Sequence, residues 1–588
     1  MTTYNTVVAQ RYESMHVARV VRKYKDREYV SWLLRRSYRE GGKVHHDTLA
    51  NLSALPEAAI EAVRACLAGK TLAEAGSQFE IERSLPHGHV AAVWAMADKL
   101  GLAKLLGPAC PERDLALALV VARAVRPASK LATTRWWSQT TLAEDLGVGG
   151  ASTDEVYAAM DWLVGRQGGI QAALSRRHLS PGGRVLYDLS SSWVEGRHCP
   201  LAARGYSRDG KAGKDQIEYG LTCDVEGRPI AVEVFAGNTA DPTAFISAAK
   251  VVRDRFGLSD VVLVGDRGMI TTARIEALKV LGGLGWITSL RAPSIAALAE
   301  GGALQLSLFD DINLAEITDH PDYPGERLVA CRNPALAAER ARKREELLAA
   351  TEADLAPIKA AVERQQRPLR GQDKIALRVG RIINRHKVAK HFELTITDDH
   401  FSFVRNTKRI AAEACLDGIY VIRASAAHTT NLDGPALVAA YKDLKFNEAG
   451  FKSLKTVDLD LRPIHHRTEQ RVRAHVFICM LALYLTWHLR RAWAPICFTD
   501  EKPPTRSDPV APARRSAQAL AKVSRRRDSQ DQPIHSYSTL LDELATLTRN
   551  TIALTGGARI TKLATPTTLQ RRAFELIETI IPLQLHAA

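Results

Sequence analysis

Cysteine is scarce in this chain and never grouped. The eight cysteines stand singly at positions 66, 110, 199, 223, 331, 415, 479 and 497. No Cys-x-x-Cys pair occurs, so neither a zinc site nor a disulfide framework is favoured. A reduced, cytosolic setting fits best. Long apolar runs are also missing. The most apolar stretch, 476–485, has ten residues, whereas a bilayer span needs about 20; it reads as a buried core helix and no membrane partner is expected. The N-terminus has no apolar signal-peptide core, since Arg11, Arg19, Arg22 and Lys23 sit among polar residues. No internal repeat is visible. Acid is in deficit: 65 Asp and Glu face 80 Lys and Arg, leaving a net charge of +15 and a pI near 9.4. That surplus points to a polyanionic partner, nucleic acid ahead of an anionic membrane.

What is present is an ordinary globular composition, 46% apolar and 25% charged over 588 residues. At roughly 100–200 residues per domain, this length suggests three to four domains or one core with large insertions. Residues 1–55 hold short β-prone runs between Lys and Arg and are expected to form a small basic sheet. Residues 56–180 keep apolar residues at spacings of three and four and read as helical, with Ser152-Thr153-Asp154-Glu155 a helix start. From 184 the period changes. Runs at 184–189, 219–225 and 230–235 predict a three-strand meander, followed by a helix, a strand at 261–264, a helix and a strand at 286–290. Three strands and then alternating helix and strand indicate a mixed sheet with helices on its faces.

Residues 181–295 and 416–500 are therefore the two parts of an α/β core, split by an α+β insertion over 296–415. Within the insertion a long helix starts at Asn333-Pro334 and meets Pro357, which is able to break it. Strands are expected at 375–383, 392–396 and 401–404. Between 338 and 390 there are 14 Lys and Arg against 7 Asp and Glu, a surplus that fits either an arm gripping a polyanion or a solvated spacer. Residues 501–535 read as a basic flexible linker, and 536–588 as a C-terminal helical region.

Asp188 and Asp266 each sit at or near the end of an expected buried strand. An acid there is commonly a turn or cap residue. Two such acids in one sheet can instead converge at its edge, where open α/β sheets place their sites. Cleaving a DNA phosphodiester, or attacking one with a 3′-hydroxyl, requires an activated nucleophile and a stabilised leaving oxygen. A pair of magnesium ions held by about three carboxylates supplies both.

Tyr441, Leu444, Glu448 and Lys455 reproduce the spacing of a Tyr-(2)-Arg-(3)-Glu-(6)-Lys motif. In this the chain resembles the insertion-sequence-four superfamily of bacterial DDE transposases. Val264-Gly265-Asp266-Arg267-Gly268 and Gly237-Asn238-Thr239-Ala240-Asp241 resemble the same family. Leu461-Arg462-Pro463-Ile464-His465-His466 resembles its insertion-sequence sixteen-thirty-four branch. The resemblance runs in pieces from about 184 to 490. It implies a ribonuclease-H-like catalytic core and a metal-binding catalytic triad of Asp188, Asp266 and Glu448. The implied ions are Mg2+, with Mn2+ as a substitute. Tyr441, Lys455 and Arg267 would contact DNA, joined by Arg367 and Arg370 from the basic insertion.

The implied partners are double-stranded DNA, as element ends and as target, and a second copy of the chain in a homodimer. Cytoplasmic, nucleoid-associated action would follow. Two departures matter. The motif arginine is Leu444 here. No tryptophan lies between Trp286 and Trp487 to hold a flipped base, a role for which Phe392, Phe401 or Phe403 would be the alternatives. Two other readings remain open: a DNA-binding protein derived from such an element but no longer catalytic, and an unrelated hydrolase using Asp188 and Asp266 as an acid–base pair.

Overall fold

The computed structural model describes residues 15–25, 27–70, 79–305, 309–504, 508–528, 530–554 and 557–585. Two compact units divide the chain: Met1–Ser84 with Arg549–Ala564, and Leu85–Thr548 with Thr565–Ala588.

In the smaller unit, β1 (Met15–Tyr24), β2 (Arg27–Glu40) and β3 (Lys43–Asn51) form an antiparallel meander studded with Arg and Lys, as the β-prone runs predict. The helix Glu57–Leu67 follows. Next comes β4 (Phe79–Pro86), in a stretch expected to be wholly helical. It joins two strands from the far end of the chain, Thr548–Leu554 and Arg559–Leu563. Glu82 of β4 pairs with Arg559 at 2.8 Å. Local sequence cannot reveal that union, because β4 finds its ladder partner more than 450 residues away. The same pairing places strands inside the C-terminal region expected to be helical.

The larger unit is built on the expected mixed sheet. β5 (Arg184–Trp193), β6 (Gln216–Cys223) and β7 (Pro229–Ala236) run antiparallel. The β6–β7 turn is fixed by Asp224, whose Oδ1 accepts the N–H groups of Glu226 and Arg228, and by Gly227 at φ +79°. Helix Asp241–Lys250 leads to β8 (Val261–Val264), and helix Thr272–Leu281 to β9 (Leu284–Ser289). β5, β8 and β9 are mutually parallel neighbours. The order β7-β6-β5-β8-β9, antiparallel and then parallel, is a ribonuclease-H-like sheet.

β10 (Leu314–Ile317) and β11 (Glu326–Arg332) come next, and the chain leaves the sheet after β11. It forms helices Pro334–Glu363 and Gln372–Ile382, the hairpin β12 (Phe392–Ile396) and β13 (Phe401–Arg405), and helix Thr407–Ala414. It returns as β14 (Ile419–Ser425). Since β14 pairs with both β9 and β11, the first part of the expected insertion belongs to the sheet, which reaches eight strands.

Three expectations inside and after the insertion are corrected. The strand expected at 375–383 is helical: Ile375 and Val379 are the buried residues, four apart on one face. Pro357 does not break its helix, because it lies on the exposed side, where water can satisfy the carbonyl it leaves unbonded. The expected linker contains helix Ala517–Arg525, capped by Ser516 and anchored by the buried Lys522 ammonium, which donates to Ala494 O (2.9 Å) and Glu501 (2.6 Å). Residues 505–507 and 529 of that stretch lie outside the described residues. Phe392 and Phe401 are buried in the small core of the insertion, which removes them as exposed stacking platforms.

The centre of the larger unit is helix Glu469–Ala492, packed on helices Pro111–Val125 and Thr153–His178 and on β7. It is long and apolar enough to cross a membrane by composition, at mean hydropathy 1.4, yet 83% of that stretch is buried inside the protein. Phe477, Leu481 and Leu485 are fully buried, each contributing about 1.5–3 kcal/mol over an exposed position. The Thr153–His178 helix begins in a capping box of Ser152 and Glu155, as its first residues predict. All eight cysteines are free.

Candidate functional site

The sheet register sets two acids side by side. β5 and β8 run parallel with Leu186 opposite Val264. Two residues further along each chain stand Asp188 and Asp266. Asp188 is not at a strand end, as the sequence suggests, but fifth in the ten residues of β5. The antiparallel partner β6 carries the strand onward past the point where β8 stops. Asp266 follows β8 in a turn closed by Met269 N–H and Ile270 N–H donating to its carbonyl. Each carboxylate is steadied by the next residue: Asp188 Oδ1 accepts the Leu189 N–H (2.8 Å) and Asp266 Oδ1 the Arg267 N–H (2.7 Å).

Glu448 arrives from helix Lys445–Lys452, which lies on β5 and β6. The buried Asn447 amide donates to Leu221 O of β6 at 2.9 Å. Gly450 lets the helix approach, since a methyl there would sit 3.2 Å from Leu221 Cδ2. Glu448 itself is exposed. The three acids share one field. Burial pushes the Asp188 carboxyl up to about 7; the Leu189 N–H and Arg208 oppose the rise, while the charges of Asp266 and then Glu448 add to it. Among the described residues, no three acids, histidines or cysteines stand close enough to hold one metal ion between them. The charges of Asp266 and Glu448 reach Asp188 without the three acids closing a cage. The donor set nevertheless suits a divalent cation: its oxygens are hard ligands, and a positive ion would offset the burial, and the lesser repulsion from Asp266 and Glu448, that raise Asp188.

Two further carboxylates are linked to these acids through Gly268 and Arg208, neither singled out in the sequence as a site residue. Gly268 separates Asp266 from Asp241: a methyl on Gly268 would lie 3.7 Å from Asp266 Oδ2 and 3.8 Å from Asp241 Oδ2. Asp241 Oδ1 accepts from Arg208 at 2.6 Å. The other arm of Arg208 is 3.3 Å from Glu218, whose buried carboxyl is raised to about 7, chiefly by burial. The Arg208 N–H donates to Ser191 Oγ on β5. Only the 237–241 motif hinted at Asp241; Arg208 and Glu218 left no local signal.

Tyr441 ends helix Gly434–Lys442, and its hydroxyl meets Ser289 Oγ of β9 at 2.9 Å. Burial raises its phenol, and the Asp266 charge adds to this, so Tyr441 stands in the same field. Lys455 lies in a five-residue π-helical turn, Ser453–Val457, that continues the Glu448 helix. Its ammonium is mostly buried and is 2.8 Å from Asp209 Oδ1. Burial lowers its pKa, against the pull of Asp209.

Arg267 is exposed and opens onto a cleft of about 1040 Å³ between helix Ala292–Glu300 and the insertion. The cleft has an apolar floor that includes Ile295 and Leu347, and a rim carrying Arg340, Lys343, Lys387 and Lys390. Arg367 and Arg370 are exposed in the turn after helix Pro334–Glu363. Arg370 donates to Val362 O, and Arg364 to Arg367 O. At 1.5 Å per residue, that turn is roughly 30 Å along the helix from the cleft.

Residues 190–485, just over half of the chain, match the model of the transposase DDE domain. Residues 17–78 match that of the IS1634 family transposase N-terminal domain. No curated protein matches the chain. The longer match takes in Asp266, Tyr441, Glu448 and Lys455, and it begins two residues after Asp188.

Proposed function

The chain belongs to the DDE transposases, and from that premise we propose that it binds the terminal inverted repeats of its own insertion sequence, cleaves the DNA there and joins the 3′ ends to target DNA. As a member of this family it is a DNA-cleaving and strand-transferring enzyme that works with divalent metal ions. The observation that carries the finer reading is the level placement of Asp188 and Asp266 by the β5–β8 register, with Glu448 in the same field.

In this reading Asp188, Asp266 and Glu448 hold magnesium, or manganese in its place, which when bound supplies an activated nucleophile and a stabilised leaving oxygen. Arg208 keeps Asp241 and Glu218 from adding two uncompensated charges to the field. Tyr441, Lys455 and Arg267 bind the DNA backbone beside the acids, and Arg367 and Arg370 bind it further out. Residues 1–180 read the terminal repeat, 181–295 with 416–500 carry the chemistry, and 296–415 supplies the arm. Two copies act together, one on each element end, on DNA in the nucleoid.

The test is cleavage of a plasmid carrying the gene with its flanking DNA, in magnesium, by the wild type and by Asp188→Asn, Asp266→Asn and Glu448→Gln. Each variant should lose cleavage while keeping DNA affinity. A variant that cleaves at the wild-type rate would remove that acid from the site.

A further inference from the structure

The loop between β5 and β6 carries two adjacent residues of opposite charge that face opposite company. Arg208 enters the acids. Asp209 enters a group of cations: its Oδ1 accepts from Lys455 Nζ at 2.8 Å and is ion-paired with Arg462. The Asp209 side chain is 1% exposed, against 11% for Lys455 and 20% for Arg462. The acid is thus the floor, and the two cations rise from it toward solvent. One carboxylate oxygen shared by two cationic heads brings those heads together and leaves the group with a net positive charge. Arg462 is further fixed by the indole of Trp193, 5.1 Å from its guanidinium carbon, and its buried Nε has no partner. Lys211 lies 5.5 Å from the same indole, whose N–H donates to Glu195.

We propose that Arg462 is a second phosphate-binding residue of the site, gathered with Lys455 by Asp209 into a two-cation clamp for one backbone phosphodiester of the bound DNA. This rests on the reading that Lys455 binds DNA, and it assigns Asp209 a positioning role. A compact ammonium and a planar guanidinium side by side match the separate oxygens of one phosphate. The clamp is one residue from Arg208, so the phosphate it takes lies close to the carboxylates, where register along the strand decides which bond is cut. The single negative charge below the pair sets the heads in place without cancelling both.

The test uses the full-length protein in EDTA and a short DNA duplex of arbitrary sequence, with affinity measured over a range of salt concentrations. Each phosphate contact contributes roughly 0.9 to the slope of log affinity against log salt. Lys455→Gln and Arg462→Gln should each lower the slope, and the double variant should lower it by roughly 0.9 in all, the share of the one phosphate that the pair holds. Arg462→Lys should restore the slope. If Lys455→Gln lowers the slope while Arg462→Gln leaves it at the wild-type value, the clamp is refuted and the DNA-binding reading of the site survives. If neither changes it, that reading of Lys455 fails first. Asp209→Asn separates positioning from structure. It adds net positive charge, so duplex affinity should hold or rise while cleavage in magnesium falls. A fall in both, in a variant that melts like the wild type, would overturn the positioning role.

Discussion

Replacing Lys130 with methionine should stabilise the protein at neutral pH and destabilise it near pH 10. Lys130 begins helix Lys130–Trp137 and is buried. Its neighbours are His475, whose Nδ1 is 3.3 Å from the ammonium nitrogen, with Arg123, His466 and Cys479. Burial, helped by the Arg123 charge, lowers its pKa from 10.5 to about 7. The unfolded chain therefore binds a proton that the folded chain rejects between about pH 7 and 10.5, so stability rises with pH across that window and is flat below it. At roughly 1.4 kcal/mol per pKa unit, rejecting the proton costs the fold on the order of 4 kcal/mol at pH 7. Methionine has similar length and no charge, and removes that cost. It also leaves His475 Nδ1 without its contact, a loss of about 1–3 kcal/mol. The variant should thus gain roughly 1–3 kcal/mol at pH 7 and, since about 1 kcal/mol of the proton cost persists at pH 10, lose up to about 2 kcal/mol there. Urea unfolding of both proteins, followed by tryptophan fluorescence from pH 7 to 10, reads the difference directly. A difference that does not change with pH would refute the argument. The cluster matters for function because it supports the segment leading to Arg462: Arg123 donates to Leu459 O and His475 contacts Leu461 O.

The cations of the insertion can be ranked. Lys343→Glu with Lys387→Glu, on the cleft beside Arg267, should weaken duplex binding and lower the salt slope by about one per lost contact. Arg367→Glu with Arg370→Glu, at the far end of the long helix, should do so less; equal or larger losses from the far pair, measured by the same titration, would move the DNA path outward. Ser152→Ala should cost about 1 kcal/mol by removing the capping box of the Thr153–His178 helix. Thermal unfolding checks this, and an unchanged midpoint would mean that the tertiary packing of that helix makes its cap redundant.

Much of the sheet was legible before folding because its signals are local. Period-two runs and turn residues such as Glu226-Gly227-Arg228-Pro229 mark β5, β6 and β7 one at a time, and the change to helix–strand alternation marks the crossovers to β8 and β9. The burial of 476–485 followed from composition, and the capping box at Ser152 from four consecutive residues. Glu448 stood out through its spacing from Tyr441 and Lys455, which the fold spreads over two helices and a π-helical turn. Other features depend on contacts between distant parts of the chain. Register, not strand ends, levels Asp188 with Asp266. The strand Phe79–Pro86 exists because Thr548–Leu554 is there to pair with it. The apolar residues at 375–383 fit either a strand or a helix face until the small core of Leu355, Val362 and Phe401 selects the helix. Lys455 looks like a surface lysine in the sequence; the buried carboxylate of Asp209, 246 positions earlier, holds it in place. A chain carries its own propensities in order, but the field at a carboxylate is the sum of charges within a few ångströms, and folding alone decides which charges those are.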